Sequence, residues 1–552
     1  MLPRTRAALG LALFGALLLA TPATADASDP GPDRVTWVDH DGRPIPKPPD
    51  GEPNFVGHQF REGLVEPLSH AFDIPDKILF VARALGARTR REAVNVNAFD
   101  EVPNSTWFTN RNHMRAVPVS DLARGPDSST AAPAKPWIVK HAKKGGASAG
   151  FQIKDADGKK WLLKLDPRDH PQLSAGADMV ARTLVHAAGY NVPHNQPVRF
   201  TRADLTIDPG LARGAEGELF TEADLDTMLS RGAVFSDGAY SAFASLFLPG
   251  HVLGSPSMRR LRPGDSNDWY RHTNRRELRG LYVVCSWIDD WDTKDPQFLD
   301  TFLARPDSLG HVAHYLLDVG SSFGAQANGP KALWQGYENT VDFGWIARHF
   351  VSLGFAVDPW MRAHENSGIP SVGNFESEVF HPQHFATEQQ EAAFREMTDA
   401  DAYWGAKIVA SFSDAQIAAA VGSAHYEDPR ATEFLVQNLK ERREKITRFW
   451  FGRVAPLDFF WMDGGVLRFH DLAQDIGLTG ARAYDVKIES EGGRAAPGRL
   501  TLSGASIDTQ NFGEGASKIE LSLSIQGSGA RPARVELTRL GSGWIVTRVR
   551  HG

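Results

Sequence analysis

From His314 to Gly324 the chain reads HYLLDVGSSFG, and this stretch guides the interpretation of the rest of the sequence. Its apolar residues predict a buried strand, which delivers one carboxylate, Asp318, into a turn that glycines leave open. A metal ion that carries a nucleotide needs this arrangement, because its anionic ligand must stand on a rigid strand end beside a flexible loop. We therefore predict that Asp318 binds a metal ion.

A loop of small residues lies upstream, just before a predicted β-hairpin. Apolar and polar residues alternate on both sides of Asp157-Gly158, which is typical of two antiparallel strands joined by a tight turn. Such a loop lets backbone N–H groups approach phosphate oxygens, because no Cβ stands in the way. An ordinary flexible turn is the alternative, since glycine-rich loops are common between strands. The candidate phosphate-binding residues are Gly145, Gly146, Ser148 and Gly150.

Lys164 lies on the second strand of this hairpin, within the sequence WLLKL. A lysine flanked by leucines either faces solvent on a half-buried sheet or points at a ligand. Its position after the small-residue loop favours the ligand. The next predicted helix, from Leu173 to Ala188, contains Asp178, which is the candidate acid to hold this lysine.

An acidic cluster runs from Asp289 to Asp295. Within it, Asp292 can orient a hydroxyl group and accept its proton, and Gln297 offers a carboxamide oxygen to a metal ion. Two alternatives remain open for the cluster. One is a solvated acidic surface loop, and the other is a calcium site, although the central glycine and terminal glutamate of an EF-hand loop are missing.

The order of these motifs along the chain is glycine-containing turn, lysine, aspartate and aspartate, which resembles the order in protein-kinase-type phosphotransferases. The chain is similar to the atypical kinase superfamily that includes HipA-type kinases, spore-coat CotH kinases and phosphoinositide kinases. It also resembles a group of large exported bacterial proteins that share this core. The resemblance covers residues 137 to 330. It implies an α+β fold with a two-lobed protein-kinase-like core, whose larger lobe is mainly helical.

The resemblance also implies two cofactors, ATP and Mg²⁺ (or Mn²⁺), and a role for each candidate residue. The small-residue loop would cover the phosphates, and Lys164, with Asp178 as its acid, would contact them. Asp292 would be the catalytic aspartate. Asp318 and Gln297 would bind the metal ion.

Three positions depart from the kinase pattern. Gln297 stands where asparagine is usual, Asp178 stands where glutamate is usual, and no His-Arg pair precedes Asp292. Two functions therefore remain open. The first is an exported phosphotransferase that moves the γ-phosphoryl group of ATP to a hydroxyl of a protein, glycan or lipid. The second is a catalytically inactive kinase-like envelope protein that acts as a binding or structural module.

The first 25 residues predict a cleaved export signal. A basic start, an apolar run from Ala8 to Ala20 and the small-residue site Ala23-Thr24-Ala25 follow one another. We therefore expect a periplasmic or secreted protein without a membrane span. Cys285 is the only cysteine, which fits a bacterial periplasm at least as well as an animal secretory route.

Composition and the kinase resemblance together divide the remaining chain into four predicted parts. They are a leader and N-terminal helical segment with a linker (26–136), a kinase-like smaller lobe (137–260), a mainly helical larger lobe (261–480) and a small antiparallel β module (483–552). The net charge is -7 and the charges are mixed in sign, so we expect no nucleic-acid partner. The expected partner is a hydroxyl-bearing acceptor or an envelope protein.

Overall fold

The computed structural model describes residues 38–51, 90–126, 131–142, 148–211, 219–339, 343–353, 355–365, 368–389, 391–492 and 498–552. These residues form ten α-helices and nineteen β-strands, so the fold mixes helices and sheets as the sequence predicted. The predicted export signal and the loop residues Gly145 and Gly146 lie outside the described residues. In the described part of the chain, no helix is both long and apolar enough to cross a membrane.

The first sheet has six strands in the spatial order β4-β6-β3-β2-β1-β5. Its strands are β1 Trp137–Ala142, β2 Gly150–Lys154, β3 Lys160–Leu165, β4 Asn195–Phe200, β5 Leu205–Ile207 and β6 Tyr240–Leu246. The predicted hairpin around Asp157-Gly158 is confirmed, because β2 and β3 pair antiparallel and Gly158 has a φ of 83°. Lys164 thus lies on a central strand of this sheet.

The helix Leu173–Ala188 follows β3 and agrees with its predicted bounds. Asp166 fixes where it starts, because this buried carboxylate accepts backbone N–H bonds from Gln172, Ser174 and Ala175 at 2.8–3.0 Å. The hydroxyl of Ser241, on β6, donates a fourth hydrogen bond at 2.6 Å. One side chain therefore joins the sheet to the helix that packs against it.

A second sheet, with the order β7-β8-β9, holds the stretch that ends at Gly324. Its strands are β7 His251–Gly254, β8 Phe298–Ala304 and β9 Gly310–Leu316, and the short ribbon β10 Ala325–Gln326 with β11 Gly329–Pro330 follows. The apolar helix Arg276–Ile288 precedes β8 and ends at Asp289, which adopts a left-handed φ of 61°. The acidic cluster therefore connects a buried helix to a sheet.

The middle of the chain is helical and contributes a large part of the largest hydrophobic core. Its helices are Phe343–Val351, Ala392–Arg395, Asp399–Ala410, Asp414–Gly422 and Pro429–Phe451. The shorter helices elsewhere are Val119–Arg124, Glu222–Leu229 and Leu472–Asp475. The longest one begins as the sequence predicts, because the Asp428 side chain caps it and proline takes its first position.

The C-terminal part of the sequence forms two antiparallel sheets, which share one hydrophobic core. They have the orders β12-β13-β16 and β15-β14-β17-β18-β19. Their strands are β12 Leu457–Asp463, β13 Val466–Asp471, β14 Tyr484–Glu491, β15 Arg499–Leu502, β16 Ser506–Asp508, β17 Lys518–Ile525, β18 Ala533–Leu540 and β19 Gly543–His551. Since β12 and β13 belong to this core, it begins ahead of residue 483. The domain bounds drawn from composition stay predictions.

Replacing Asp166 with alanine should lower the free energy of unfolding by about 3 kcal/mol, because three backbone N–H groups would lose their buried acceptor. The Thr221→Ala variant is the matched control. Thr221 caps the exposed Glu222–Leu229 helix by accepting from the backbone N–H of Asp224, so its loss should cost only about 1 kcal/mol. Urea denaturation measures both, and equal losses would contradict the structural role assigned to Asp166.

Candidate functional site

Lys164 and Asp318 form an ion pair between the first and second sheets. Lys164 Nζ lies 2.5 Å from Asp318 Oδ2, and the lysine is the more buried partner, with 13% of its side chain exposed against 33% for the aspartate. Burial by itself would lower the pKa of Lys164, but the negative charges of Asp318, Asp178 and Asp292 outweigh it and raise that pKa. The lysine is therefore held in its charged form.

Asp318 stands two residues beyond the end of β9, as the sequence predicts. The backbone N–H of Leu317 donates to the carbonyl oxygen of Gln297 at 2.7 Å, which ties this strand end to the start of β8. The backbone N–H of Gly320 donates to Asp318 Oδ1 at 3.2 Å and orients the carboxylate. A Cβ at Gly320 would lie 3.3 Å from the same oxygen, so glycine keeps the approach to Asp318 open.

Of the small-residue loop, the structure describes Ser148 and Gly150. Gly150 pairs with Lys164 across β2 and β3. A Cβ at Gly150 would fall 2.2 Å from the backbone oxygen of Leu163, so close strand pairing alone already requires this glycine. Ser148 lies two residues before Gly150 and is half-buried. Their role towards phosphate stays a prediction.

Asp178 lies near Lys164 but does not hold it in an ion pair. Its Oδ2 accepts a 2.6 Å hydrogen bond from Asn195 Nδ2 on β4. Burial raises the pKa of Asp178 to about 6, although the bond from Asn195 opposes the shift. The acid that pairs with Lys164 is thus Asp318, and Asp178 is a second carboxyl group behind it.

Asp292 and Gln297 are in direct contact, and their predicted roles as base and metal ligand stay predictions. Gln297 Nε2 donates to Asp292 Oδ2 at 2.6 Å, while Lys294 Nζ lies 2.7 Å from Asp292 Oδ1. Lys294 also forms an ion pair with Glu388. Burial and the charge of Glu388 raise the pKa of Asp292 to about 7, against the opposing effect of Lys294.

Two residues of this group were missed by the sequence analysis. Lys294 lies inside the acidic cluster, and the sequence analysis assigned it no role. A lysine between aspartates could have indicated an ion pair with one of them. Glu388 lies 94 residues farther along, in a segment without regular structure. Its approach to Lys294 depends on tertiary packing, so nothing in the local sequence could have revealed it.

Asp289 and Asp290, the first two carboxylates of the cluster, are buried rather than solvated. Asp289 forms a 2.6 Å ion pair with Lys331, and Asp290 accepts a 2.9 Å hydrogen bond from the Thr293 hydroxyl. Burial raises the pKa of Asp290 to about 8, and the charges of nearby aspartates add to the shift. Each acid has its own partner, which is unlike a solvated loop and unlike carboxylates that converge on one calcium ion.

The donor set for a metal ion is small. Over the residues that the structure describes, no three His, Cys, Asp or Glu side chains are grouped as a metal site. The two predicted ligands are nevertheless neighbours, because the carbonyl oxygen of Gln297 accepts the backbone N–H beside Asp318. One carboxylate and one amide fit a metal ion that arrives with further oxygen ligands of its own.

No family model matches the sequence, and no curated protein matches it either. Among solved structures, the crystal structure of the Golgi casein kinase with Mn/ADP bound is 10% identical, with a TM-score of 0.28, over 60% of this chain and 73% of that chain. Another crystal structure of the Golgi casein kinase is 11% identical, with a TM-score of 0.27, over 70% and 88%. At such TM-scores the likeness carries no argument, and the interpretation of the site rests on its own geometry.

The Asp290→Asn variant should be more stable than the wild type at alkaline pH. The unfolded chain releases the Asp290 proton near the ordinary pKa of 3.8, whereas the folded chain keeps it up to about pH 8. The folded state therefore loses stability as the pH rises through this window. An asparagine cannot ionise, so its advantage at pH 8.5 over pH 4 should be about 5 kcal/mol, since each pH unit in this window costs the wild type about 1.4 kcal/mol.

Urea denaturation at the two pH values measures this difference. Asp157→Asn, in the exposed turn between β2 and β3, controls for the substitution itself. An advantage of Asp290→Asn that is the same at both pH values would contradict the buried, protonated state of Asp290.

Proposed function

We propose that the protein is a phosphotransferase that moves the γ-phosphoryl group of ATP to a hydroxyl acceptor with the help of Mg²⁺ or Mn²⁺. The observation that supports this most is the Lys164–Asp318 ion pair, which joins the first sheet to a residue 154 positions farther along, just beyond the end of β9. Asp292 and Gln297 lie in the same region. A lysine, a base and a metal-binding pair are the parts that phosphoryl transfer needs.

The proposal includes a two-lobed core. The first sheet with the helix Leu173–Ala188 would be the smaller lobe, and the helices from Arg276 onward would form the larger one. Lys164 belongs to the first of these units, while Asp292 and Asp318 belong to the second. A nucleotide would bind between these two units.

Lys164 and Asp318 would exchange partners when substrate binds. Phosphate oxygens can replace the carboxylate as acceptors of the lysine, since both make charge-assisted hydrogen bonds. Asp318 then becomes available as a ligand, and the amide oxygen of Gln297 is the second donor because its Nε2 is used by Asp292. The bound metal ion would supply positive charge for the transferring phosphoryl group.

Asp292 would accept the proton of the attacking hydroxyl. Gln297 and Lys294 each hold one of its oxygens, which fixes the direction of the carboxylate. A pKa of about 7 suits a general base that works near neutral pH. Glu388 would act as a positioning residue, because it shares Lys294 with Asp292.

The acceptor hydroxyl would belong to a protein, glycan or lipid of the compartment that the export signal predicts, which is the periplasm or the exterior. The second candidate is the inactive, kinase-like binding module. The contact of Asp178 with Asn195 favours it, because Lys164 then lacks the helix-borne acid that kinases use.

ATP with Mg²⁺ should raise the melting temperature of the protein. Ligand at about one hundred times its Kd stabilises by about 2.7 kcal/mol, which corresponds to a few degrees for a chain of this size. Lys164→Ala and Asp318→Ala should each lose this shift relative to their own melting temperature, because one removes the phosphate contact and the other removes the metal ligand.

Lys160→Ala is the control, since Lys160 is exposed on the same strand. Scanning fluorimetry with and without a chelator measures the shift. A wild type that no nucleotide stabilises would contradict the proposal, and a shift without any turnover would assign the protein to the binding-module class.

Asp292→Asn should keep the nucleotide-dependent shift but lower the rate of phosphoryl transfer at least about a hundredfold, because a general base contributes that much. In the wild type, the rate should rise with pH through about 7, where Asp292 loses its proton. Labelled ATP reports autophosphorylation and hydrolysis. Asp307→Asn, in the exposed turn between β8 and β9, should match the wild type, and unchanged transfer in Asp292→Asn would rule out its role as the base.

A further inference from the structure

The most exposed large apolar side chains of the described residues lie together on one short segment. Phe350, Val351, Leu353 and Phe355 are 82–85% exposed, and Val357 is 63% exposed. We call these five residues the apolar tip. The first two end the helix Phe343–Val351, and the other three follow it. Soluble monomers expose single apolar residues freely, whereas a group of this size marks a surface that contacts something.

The base of the apolar tip is fixed by Asp358, which is 1% exposed. Its Oδ2 accepts a 2.9 Å hydrogen bond from the indole N–H of Trp345, and its Oδ1 forms an ion pair with Arg348. The His349 ring stacks on Trp345 with ring centroids 4.1 Å apart. The helix before the tip and the chain after it are thereby joined, so the five side chains project from a defined base.

The segment that carries the tip is basic, and the neighbouring carboxylate Glu338 accepts a hydrogen bond from the indole N–H of Trp360. From Phe343 to Val357 the sequence contains no Asp or Glu. Asp358, the first carboxylate after the tip, is buried against Trp345 and Arg348. The side chain of Arg348 is about half exposed at the base, and Arg362 is exposed at the end of the returning segment. Apolar side chains beyond a ring of arginine and tryptophan match the acyl boundary and the anionic head groups of a bilayer surface.

A folded protein partner fits the tip less well. A stable protein interface uses roughly 20–30 residues on each side, whereas the tip offers five side chains on about two turns of chain. An exposure above 80% for four of them means that, among the residues that the structure describes, no flanking surface packs beside them to complete such an interface. The acyl chains of a bilayer can rearrange around such projecting apolar side chains and bury them.

We propose that the apolar tip inserts into the surface of an anionic lipid bilayer, with Arg348 and Arg362 at the level of the head groups. The attachment is peripheral, since only the five side chains reach the acyl boundary. It does not depend on phosphoryl transfer, and it would hold for an active enzyme and for a binding module alike.

Vesicle sedimentation with the chain from residue 26 onward tests the proposal. The wild type should sediment with vesicles of phosphatidylcholine and phosphatidylglycerol in equal amounts, and more weakly with phosphatidylcholine alone. The double variant Phe350→Ser/Phe355→Ser should bind at least about tenfold more weakly to both, because two buried rings are lost. Arg362→Gln should lower binding to the anionic vesicles alone, by about fivefold.

Leu540→Ser is the matched control, because Leu540 is 67% exposed on the C-terminal sheet and should not affect binding. Melting temperatures of all variants should equal that of the wild type, since every replaced side chain is exposed. A wild type that stays in the supernatant with both vesicles would overturn the proposal. Self-association in sedimentation equilibrium that the double variant abolishes, without vesicle binding, would assign the tip to a second copy of the chain and overturn it as well.

Discussion

An excess of carboxyl groups over lysines in one partly buried region is the constraint on which the site depends. Asp178, Asp290, Asp292 and Asp318 act on one another's pKa values or on that of Lys164, and burial makes each negative charge costly. The Lys164–Asp318 ion pair offsets part of this cost, and Lys294 offsets another part between Asp292 and Glu388. The remaining acids respond by holding protons near neutral pH. Burial raises these pKa values most, and repulsion between the carboxylates adds to it. The divalent ion of the proposed function would relieve that repulsion.

The scaffold around this region restricts the positions of the charged groups. Asp166 anchors the helix that carries Asp178, and the backbone of Gln297 anchors the strand end that carries Asp318. Both anchors are hydrogen bonds between separate segments of the chain, so the site does not rely on a single flexible loop.

Close packing explains the glycines at two positions of the site. A side chain at Gly150 would contact the backbone of β3, and one at Gly320 would contact the Asp318 carboxylate.

Local patterns predicted the local elements, and tertiary contacts decided the rest. The hairpin around Gly158 and the helices Leu173–Ala188 and Pro429–Phe451 follow from alternation, periodicity and caps, which act over a few residues. The approach of Lys164 to Asp318 followed from motif order rather than from any local signal. The sequence did not predict that Asp178 binds Asn195, because Asn195 lies on β4 and the register of this strand depends on the whole sheet. Glu388 lies in an irregular segment, and β12 and β13 join the C-terminal core through pairing with β16, which composition does not reveal.

The Lys164–Asp318 ion pair also bears on which anions the site would accept. If phosphate or a metal-free nucleotide bound Lys164, the negative charge of Asp318 would lose its partner. The nearby carboxyl group of Asp178 would add to that cost. A nucleotide that arrives with its own divalent cation satisfies both members of the pair at once. Under the proposed function, the resting pair would therefore disfavour the anion alone or the cation alone and would favour the two bound together. In a compartment rich in free anions, such selectivity would keep the site vacant until the matched species appears.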